Sequence, residues 1–298
     1  MDLKQLEYIV KIAEENNITH AAEKLFITQS ALNQQLLKLE KELGTQLFYR
    51  SRINWRLTEA GKIYINNAKQ ILNIKKETYN KIYDCIESNV GHLSIGLTPG
   101  RGIAMFIAIF RKLIRLHPNL VLEPMELSVR QQQYKIARDE LDVGFMTLSE
   151  AQRTNDNYIV LKSEEMVFAT SKNHPILKGI DTSQPIDLST LKNESFVLMN
   201  KESTNREIID QIFEKAGFIP KLLFETKYTS SIVSVVKSSI CCGIIPYYYA
   251  KLDSEYLSYF PIKEHPSWDM VICYRKGSYL SKPAKTFIEL AKIFWNKQ

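Results

Sequence analysis

Three amide side chains recur in one short segment at a spacing that suits the reading of nucleic-acid bases. Gln29, Asn33 and Gln34 fall on one face if this segment is helical. An Asn or Gln amide can donate to N7 of adenine and accept from its N6 amino group together, and the segment has no arginine, the usual partner of guanine. We therefore expect contacts that favour A·T base pairs. The alternative interpretation is an ordinary solvated face of a surface helix.

Basic side chains surround this segment. Between Lys24 and Lys62 the chain has seven lysines and arginines against three glutamates, within a protein whose 298 residues carry a net charge of +6. Such an excess favours an anionic partner, and the arginines near position 50 suit phosphates or a minor groove. A threonine at a helix start could also donate to a phosphate. The candidate DNA-binding residues are Thr28, Gln29, Ser30, Asn33, Gln34, Lys38, Arg50, Arg52 and Arg56.

Three helices must position these side chains. Apolar residues at helical spacing predict helices over residues 3–16 and 19–25, and a third that runs from the N-cap Thr28 to Leu43 and ends at Gly44. The buried stripe of the third helix is expected to be Leu32, Leu36, Leu39 and Leu43.

A hairpin is expected to follow, with residues 47–50 paired to residues 54–57. Two helices that cross at a short turn, followed by a basic hairpin, are typical of a winged helix-turn-helix. The sequence therefore predicts a DNA-binding domain over residues 1–58.

A longer helix is predicted from Thr58 to about Ser88. Apolar or small residues recur along it at steps of three and four, which is the pattern of a seam for a partner helix. The seam residues are Tyr64, Ala68, Ile71, Thr78, Ile82 and Ile86. We expect a linker over residues 59–89 that dimerises, and the alternative is a helix that packs on its own domain.

From Gly91 onward strands alternate with helices, which predicts an α/β fold built on a parallel sheet. Two similar sets of elements follow each other within residues 90–298. We divide them into subdomain I, about residues 90–161 and 269–298, and subdomain II, about residues 162–268.

The first 61 residues closely resemble the LysR-type transcriptional regulators. The motifs that carry the resemblance are Leu6-Glu7-Tyr8, Ala21-Ala22-Glu23-Lys24-Leu25, Thr28-Gln29-Ser30-Ala31-Leu32, Leu39-Glu40-Lys41-Glu42-Leu43-Gly44, Leu47-Phe48-Tyr49-Arg50 and Leu57-Thr58-Glu59-Ala60-Gly61. Weaker similarities, such as Gly243-Ile244-Ile245-Pro246, extend over most of the chain. Ser30, Asn33, Gln34 and the pair Arg52-Ile53 depart from residues that are common in the family.

The resemblance implies a cytoplasmic homo-oligomer, dimer or tetramer, that binds promoter DNA at an inverted repeat, here A·T-leaning. It also implies an effector domain of two α/β subdomains similar to type 2 periplasmic binding proteins, with a small molecule between them. Arg50 often packs beneath the wing in this family.

A ligand between two such subdomains meets strand ends and helix N-termini, where backbone N–H groups favour anions. The candidate effector-binding residues are Thr98, Gly100, Arg101, Ser128, Ser203, Thr204 and Thr226. Arg101 suggests a carboxylate or another anion. Each of these residues could instead be an ordinary cap.

Other classes of protein receive little support. The sequence shows no nucleophile elbow, P-loop or metal-ligand spacing, so we expect no catalytic residue, metal or cofactor. No segment has the length or apolar character of a signal peptide or membrane helix. Cys241 and Cys242 suggest buried apolar residues, with a redox sensor as the alternative. An α/β enzyme, or a solute-binding protein whose helical head does not bind DNA, remains the alternative function.

Overall fold

The computed structural model describes residues 2–51, 54–86, 90–179, 181 and 184–297. The chain divides into two compact units. The N-terminal unit comprises Met1–His92 with Arg138–Glu140, and the C-terminal unit comprises Leu93–Ala137 with Leu141–Gln298. Within the described ranges, no helix combines the length and the apolar character that crossing a bilayer requires.

Polar caps set the limits of the helices in the N-terminal unit. Its elements are α1 (Leu3–Glu15), α2 (Ile18–Lys24), α3 (Gln29–Leu43), β1 (Phe48–Tyr49) and β2 (Arg56–Leu57). The side chains of Asp2, Asn17 and Thr28 accept hydrogen bonds from backbone N–H groups in the first turns. Asn16 and Gly44 end α1 and α3 in the left-handed region, at φ 50° and 69°. The predicted limits of the three helices are therefore confirmed to within a residue.

The buried face of α3 differs from the predicted stripe at its end. Leu32, Leu36 and Leu39 are fully buried, whereas Leu43 is 44% exposed. Leu43 is the last residue of the helix, where the chain turns away from the core at Gly44. Glu40 is the further buried residue of α3.

The predicted wing is confirmed as a short antiparallel ribbon in which Phe48 pairs with Leu57 and Tyr49 with Arg56. Trp55 packs against Phe48, with 5.8 Å between ring centroids. Arg52 and Ile53 lie outside the described residues.

A long helix, α4 (Glu59–Cys85), follows the wing. Thr58 caps it by accepting from the N–H of Gly61 at 3.0 Å. A Cβ atom at Gly61 would lie 2.0 Å from the backbone oxygen of Leu47, so the junction of wing and helix requires glycine.

The predicted seam along α4 is divided between two environments. Ala68 is buried in the core of the N-terminal unit, and Tyr64 and Ile71 pack against that core. Ile82 and Ile86, in contrast, are exposed by half or more. The interpretation as a helix packed on its own domain is thus correct for the first half, because α1 covers that face.

Strands and helices alternate in the C-terminal unit. They are β3 (Val90–Leu97), α5 (Arg101–Leu116), β4 (Asn119–Glu126), α6 (Val129–Ala137), β5 (Val143–Leu148), β6 (Asn157–Ser171), β7 (Ser195–Met199), α7 (Thr204–Lys215), β8 (Lys221–Thr226), α8 (Thr229–Lys237), β9 (Cys242–Pro246), α9 (Tyr247–Leu252), β10 (Leu257–Pro261), β11 (Ser267–Tyr274) and α10 (Lys282–Trp295). The helix α9 and the strand β10 were not expected from the sequence.

The sheet is mixed, and the expectation of a parallel sheet is wrong for its centre. Its strand order is β4-β3-β5-β11-β6-β9-β7-β8, with β10 paired to β6. Parallel pairs join β3 to β5 and join β7 to both β8 and β9. The strands β11 and β6 run antiparallel to their neighbours because the chain crosses twice between two halves of the sheet.

The strand β6 belongs to both halves. Its residues 157–165 pair with β11, and residues 166–171 pair with β9 and β10. We call the part of the unit built on β3, β4, β5 and β11 lobe I, and the part built on β7, β8, β9 and β10 lobe II. Separate apolar cores fill the lobes, one around Phe145 and Phe287 and one around Phe196 and Phe213.

Candidate nucleic-acid interface and ligand cavity

The exposed face of α3 presents the three amides expected from the sequence. Gln29 and Gln34 are exposed and Asn33 is half-buried. None of these side-chain amides forms a hydrogen bond to another described residue, so their donors and acceptors are available to a ligand. Thr28 accepts from the N–H of Ala31 at 3.2 Å. Ser30 and Lys38 also lie exposed on α3.

Arg50 is held beneath the wing. Its guanidinium forms an ion pair with the buried carboxylate of Glu40 and lies 5.5 Å from the ring centroid of Trp55. Glu40 also accepts from the N–H of Leu47 at 2.8 Å. Because Glu40 already compensates the charge of Arg50, this guanidinium is less available to a phosphate, and its contacts favour a structural role. Arg56 is exposed on β2.

Phe26 is a surface residue that sequence reasoning missed. It lies in the turn between α2 and α3, with φ at 55°, and its side chain is 95% exposed. Its neighbour Ile27 packs into the core. The only sequence signal was an apolar pair in a turn, and apolar pairs in turns are commonly buried.

A cavity of about 640 Å³ lies between lobe I and lobe II. Six of the seven predicted effector-binding residues line it, namely Thr98, Gly100, Arg101, Ser128, Ser203 and Thr204. Thr226 does not line it; its hydroxyl accepts from the N–H of Tyr228 and its carbonyl from the N–H of Asn200. Lys227 and Thr229 form that part of the wall instead.

Arg101 lines the cavity but already has a partner. It is buried, forms an ion pair with Glu164, and stacks between Tyr248 at 4.5 Å and Trp295 at 5.0 Å. Glu164 also accepts from the indole N–H of Trp268 at 3.2 Å. Arg101 alone therefore gives little support for an anionic effector, because Glu164 matches its positive charge within the protein.

Backbone groups at two helix N-termini are further donors at the cavity. Gly100 and Ser203 precede α5 and α7, and neither helix has a side-chain cap. Their first N–H groups thus lack an intrahelical acceptor and can bind a ligand. Thr204 uses its hydroxyl to donate to the carbonyl of Thr147 across the lobes at 2.8 Å. Lys227 adds a cationic side chain to the wall.

The adjacent cysteines are fully buried, and burial raises the pKa of the Cys241 thiol and raises that of Cys242 to about 12. Since the thiolate is the reactive form, this environment favours their interpretation as buried apolar residues.

Two family models match the chain. One, described as a bacterial regulatory helix-turn-helix protein of the lysR family, matches residues 3–62, and the other, described as LysR substrate binding domain, matches residues 87–294. Among relatives, the regulator AlsR of Bacillus subtilis is 27% identical over 284 residues, which cover 94% of this chain and 92% of AlsR. The uncharacterized HTH-type transcriptional regulator YcgK of Bacillus subtilis is also 27% identical, over 98% of this chain and 94% of its own.

Solved structures share the fold of the whole chain. A cysteine variant of full-length OxyR from Pseudomonas aeruginosa matches with a TM-score of 0.70 and 22% identity, over 99% of this chain and 95% of that one. Full-length CbnR complexed with its target DNA matches with a TM-score of 0.61 and 19% identity, over 98% and 99%. The two family models span both compact units, and the chain belongs to the LysR family of transcriptional regulators.

Proposed function

We propose that this regulator reads an A·T-leaning inverted repeat in promoter DNA with Gln29, Asn33 and Gln34. The observation that carries the proposal is the exposed face of α3, on which these amides lack partners among the described residues while three leucines anchor the opposite face. We include Thr28, Ser30, Lys38, Arg52 and Arg56 as contacts to the DNA backbone. A regulator that binds the chromosome acts in the cytoplasm.

We further propose that two chains associate along the second half of α4. Tyr79, Ile82 and Ile86 are exposed at steps of three and four, and a helix with such an apolar stripe is stabilised by a partner. A dimer presents two copies of α3, which need half-sites about one helical turn apart or a multiple of it. Exposed apolar residues on α5 and β8, such as Phe110 and Phe224, support further association into a tetramer.

The effector, in this proposal, is a small anion bound between the lobes by the N-termini of α5 and α7 with Lys227. Residues 1–58 then form the DNA-binding domain, residues 59–89 the linker and residues 90–298 the effector domain. The relatives bear the names of transcriptional regulators, which supports a role without catalysis.

DNase footprinting on the intergenic DNA beside the gene, over a series of salt concentrations, tests the DNA proposal. We expect a protected A·T-leaning inverted repeat whose occupancy falls steeply as salt rises. The variant Gln29→Ala should lose about 1–3 kcal/mol of specific binding and relax the preference at one base pair. Lys38→Ala is the matched control on the same helix. It should weaken binding to all DNA sequences alike and reduce the slope of log K against log salt concentration by about 1. A footprint of Gln29→Ala with unchanged sequence preference would refute the assignment of the amides.

A further inference from the structure

Three side chains of the types that bind transition metals meet in lobe II. The ligand atoms of His174, Glu194 and Cys242 all lie within 4.8 Å of one another. His174 precedes the 3₁₀ turn Pro175–Lys178, Glu194 immediately precedes β7, and Cys242 is the first residue of β9. The fold therefore unites a nitrogen, an oxygen and a sulfur ligand that are far apart in the sequence.

The distances between these ligand atoms suit a metal ion bound among them better than a direct hydrogen bond from one to another. His174 Nε2 and Glu194 Oε2 are 3.8 Å apart, which is too long for a hydrogen bond. In a tetrahedral zinc site with metal–ligand bonds of about 2.0–2.3 Å, ligand atoms stand about 3.3–3.6 Å apart. A contraction of a few tenths of an ångström brings the imidazole and the carboxylate to that distance.

Two of the three side chains in the cluster are withdrawn from solvent. Cys242 is fully buried and His174 nearly so, whereas the Glu194 side chain is 26% exposed. A carboxylate in such a site is stabilised by pairing or by metal coordination. The partial exposure of Glu194 leaves an entry path from solvent.

We propose that lobe II binds one Zn²⁺ ion through His174 Nε2, a carboxylate oxygen of Glu194 and Cys242 Sγ. Mixed nitrogen, oxygen and sulfur ligands in tetrahedral arrangement are typical of zinc. The sequence predicts no metal site, because its four cysteines form no CxxC pair.

The protons balance with one released to solvent. A coordinating metal ion displaces the proton of the Cys242 thiol outright. His174 changes only its tautomer: Nδ1 now accepts from the N–H of Ile176 at 3.3 Å, so a neutral ring carries its proton on Nε2. Coordination through Nε2 moves that proton to Nδ1 and gives up this long hydrogen bond. The zinc site then carries no net charge, since the thiolate and the carboxylate match the Zn²⁺ ion.

This site is distinct from the effector cavity. Glu194 precedes β7, whereas Asn200, which lines the cavity, follows it. The two places are therefore at opposite ends of one strand, about 20 Å apart at the rise of an extended chain. Failure of the DNA or effector proposals would leave the zinc proposal intact.

Titration of the full-length protein with Co²⁺ tests the proposal. For this titration the protein is prepared without an affinity tag and with the substitution Cys85→Ser, which removes the exposed thiol. The buffer contains a reductant that does not bind metals. We expect one equivalent to bind with the charge-transfer absorption of a thiolate–cobalt bond and the visible bands of tetrahedral cobalt. Co²⁺ binding should release one proton per ion, and Zn²⁺ should then displace the Co²⁺ without further proton release. Absence of the thiolate band would overturn the proposal.

Matched variants locate the ligands. Cys242→Ala should abolish the thiolate band, whereas Cys241→Ala, at the adjacent buried cysteine outside the cluster, should retain it. In His174→Asn the new side chain can still accept from the N–H of Ile176, so the turn is preserved. Loss of a partner outside the ligand set costs about 10–100-fold in metal affinity, and this variant should weaken Co²⁺ binding by more than that. Circular dichroism confirms that each variant is folded. Equal bands in Cys241→Ala and Cys242→Ala would place the metal elsewhere and refute the site.

Discussion

Glu40 shows how one buried charge organises the DNA-binding surface at the scale of single residues. Its carboxylate accepts from the N–H of Leu47 and pairs with Arg50, so it ties α3 to the start of the wing. A buried carboxylate is stable only with such partners. Arg50 is consequently a structural residue, and Arg56 is the wing arginine with no ion pair among the described residues.

Arg50→Ala and Arg56→Ala should therefore affect different properties of the protein. Arg50→Ala leaves Glu40 without its counter-charge and should lower the free energy of unfolding by about 1–3 kcal/mol, which urea denaturation measures. Arg56→Ala should leave stability within about 0.5 kcal/mol and weaken DNA binding in a salt-dependent way. If Arg50→Ala weakened DNA binding with unchanged stability, the structural role would be wrong.

Single residues were predictable where a local pattern fixes their environment. The leucines of α3 set its buried face, and the exposure of Gln29 and Gln34 follows from helical geometry. The pairing of Arg101 with Glu164 was not predictable, because it depends on where β6 lies beside α5. The same reason hid the cluster at Cys242, whose partners come from distant segments.

At the scale of elements, α4 changes its role along its length. Its first half packs against the core of the N-terminal unit, and its second half exposes Tyr79, Ile82 and Ile86. An apolar stripe on a solvated helix is a common site for association with a second chain. The first half of α4 is thus part of the folded N-terminal unit, and the second half is an exposed surface.

Ile82→Glu should weaken self-association of the protein. A buried isoleucine contributes about 1.5–3 kcal/mol, so replacing it with a charge should weaken dimerisation by at least about tenfold. Sedimentation over a range of concentrations measures this change. Gln70→Glu is the control, since Gln70 is exposed on the opposite face of α4, and it should leave association unchanged. Equal association of both variants would exclude this stripe from the interface.

Elements with strong terminal signals were predictable, and those defined by partners were not. The limits of α3 follow from Thr28 and Gly44, which act within the backbone itself. The strand β6 runs over Asn157–Ser171, and its first part is set by pairing with β11, which the local sequence pattern does not encode. The directions of the central strands likewise depend on where the chain crosses between lobes, which no local pattern encodes.

At the scale of the C-terminal unit, Glu164 joins the two lobes. It lies on β6, pairs with Arg101 of α5 in lobe I, and accepts from the backbone N–H of Tyr248 in lobe II at 2.9 Å. All of these contacts are close to the cavity, whose wall includes Arg101 and Trp268. The relative position of the lobes is thus stabilised by one buried carboxylate.

Glu164→Gln should destabilise the protein strongly. It leaves the buried guanidinium of Arg101 without a compensating charge, which costs about 3–5 kcal/mol. Glu165→Gln, at the next residue, removes only an exposed contact with His265 and should cost less than about 1 kcal/mol. Urea unfolding of both variants measures the difference. Similar losses for the two variants would contradict the role of Glu164.

The sharing of β6 between the lobes has a consequence for how such regulators exchange parts during evolution. A recombination breakpoint inside β6 would join half a strand from one parent to half from another, and each half must match a different set of neighbours. Lobe II is continuous in the chain, yet its sheet includes part of β6, and the rest of that strand pairs with β11 of lobe I. Chimeras that exchange residues 90–298 as a whole keep every pairing of the large sheet, and are therefore expected to fold where chimeras with a breakpoint inside β6 do not.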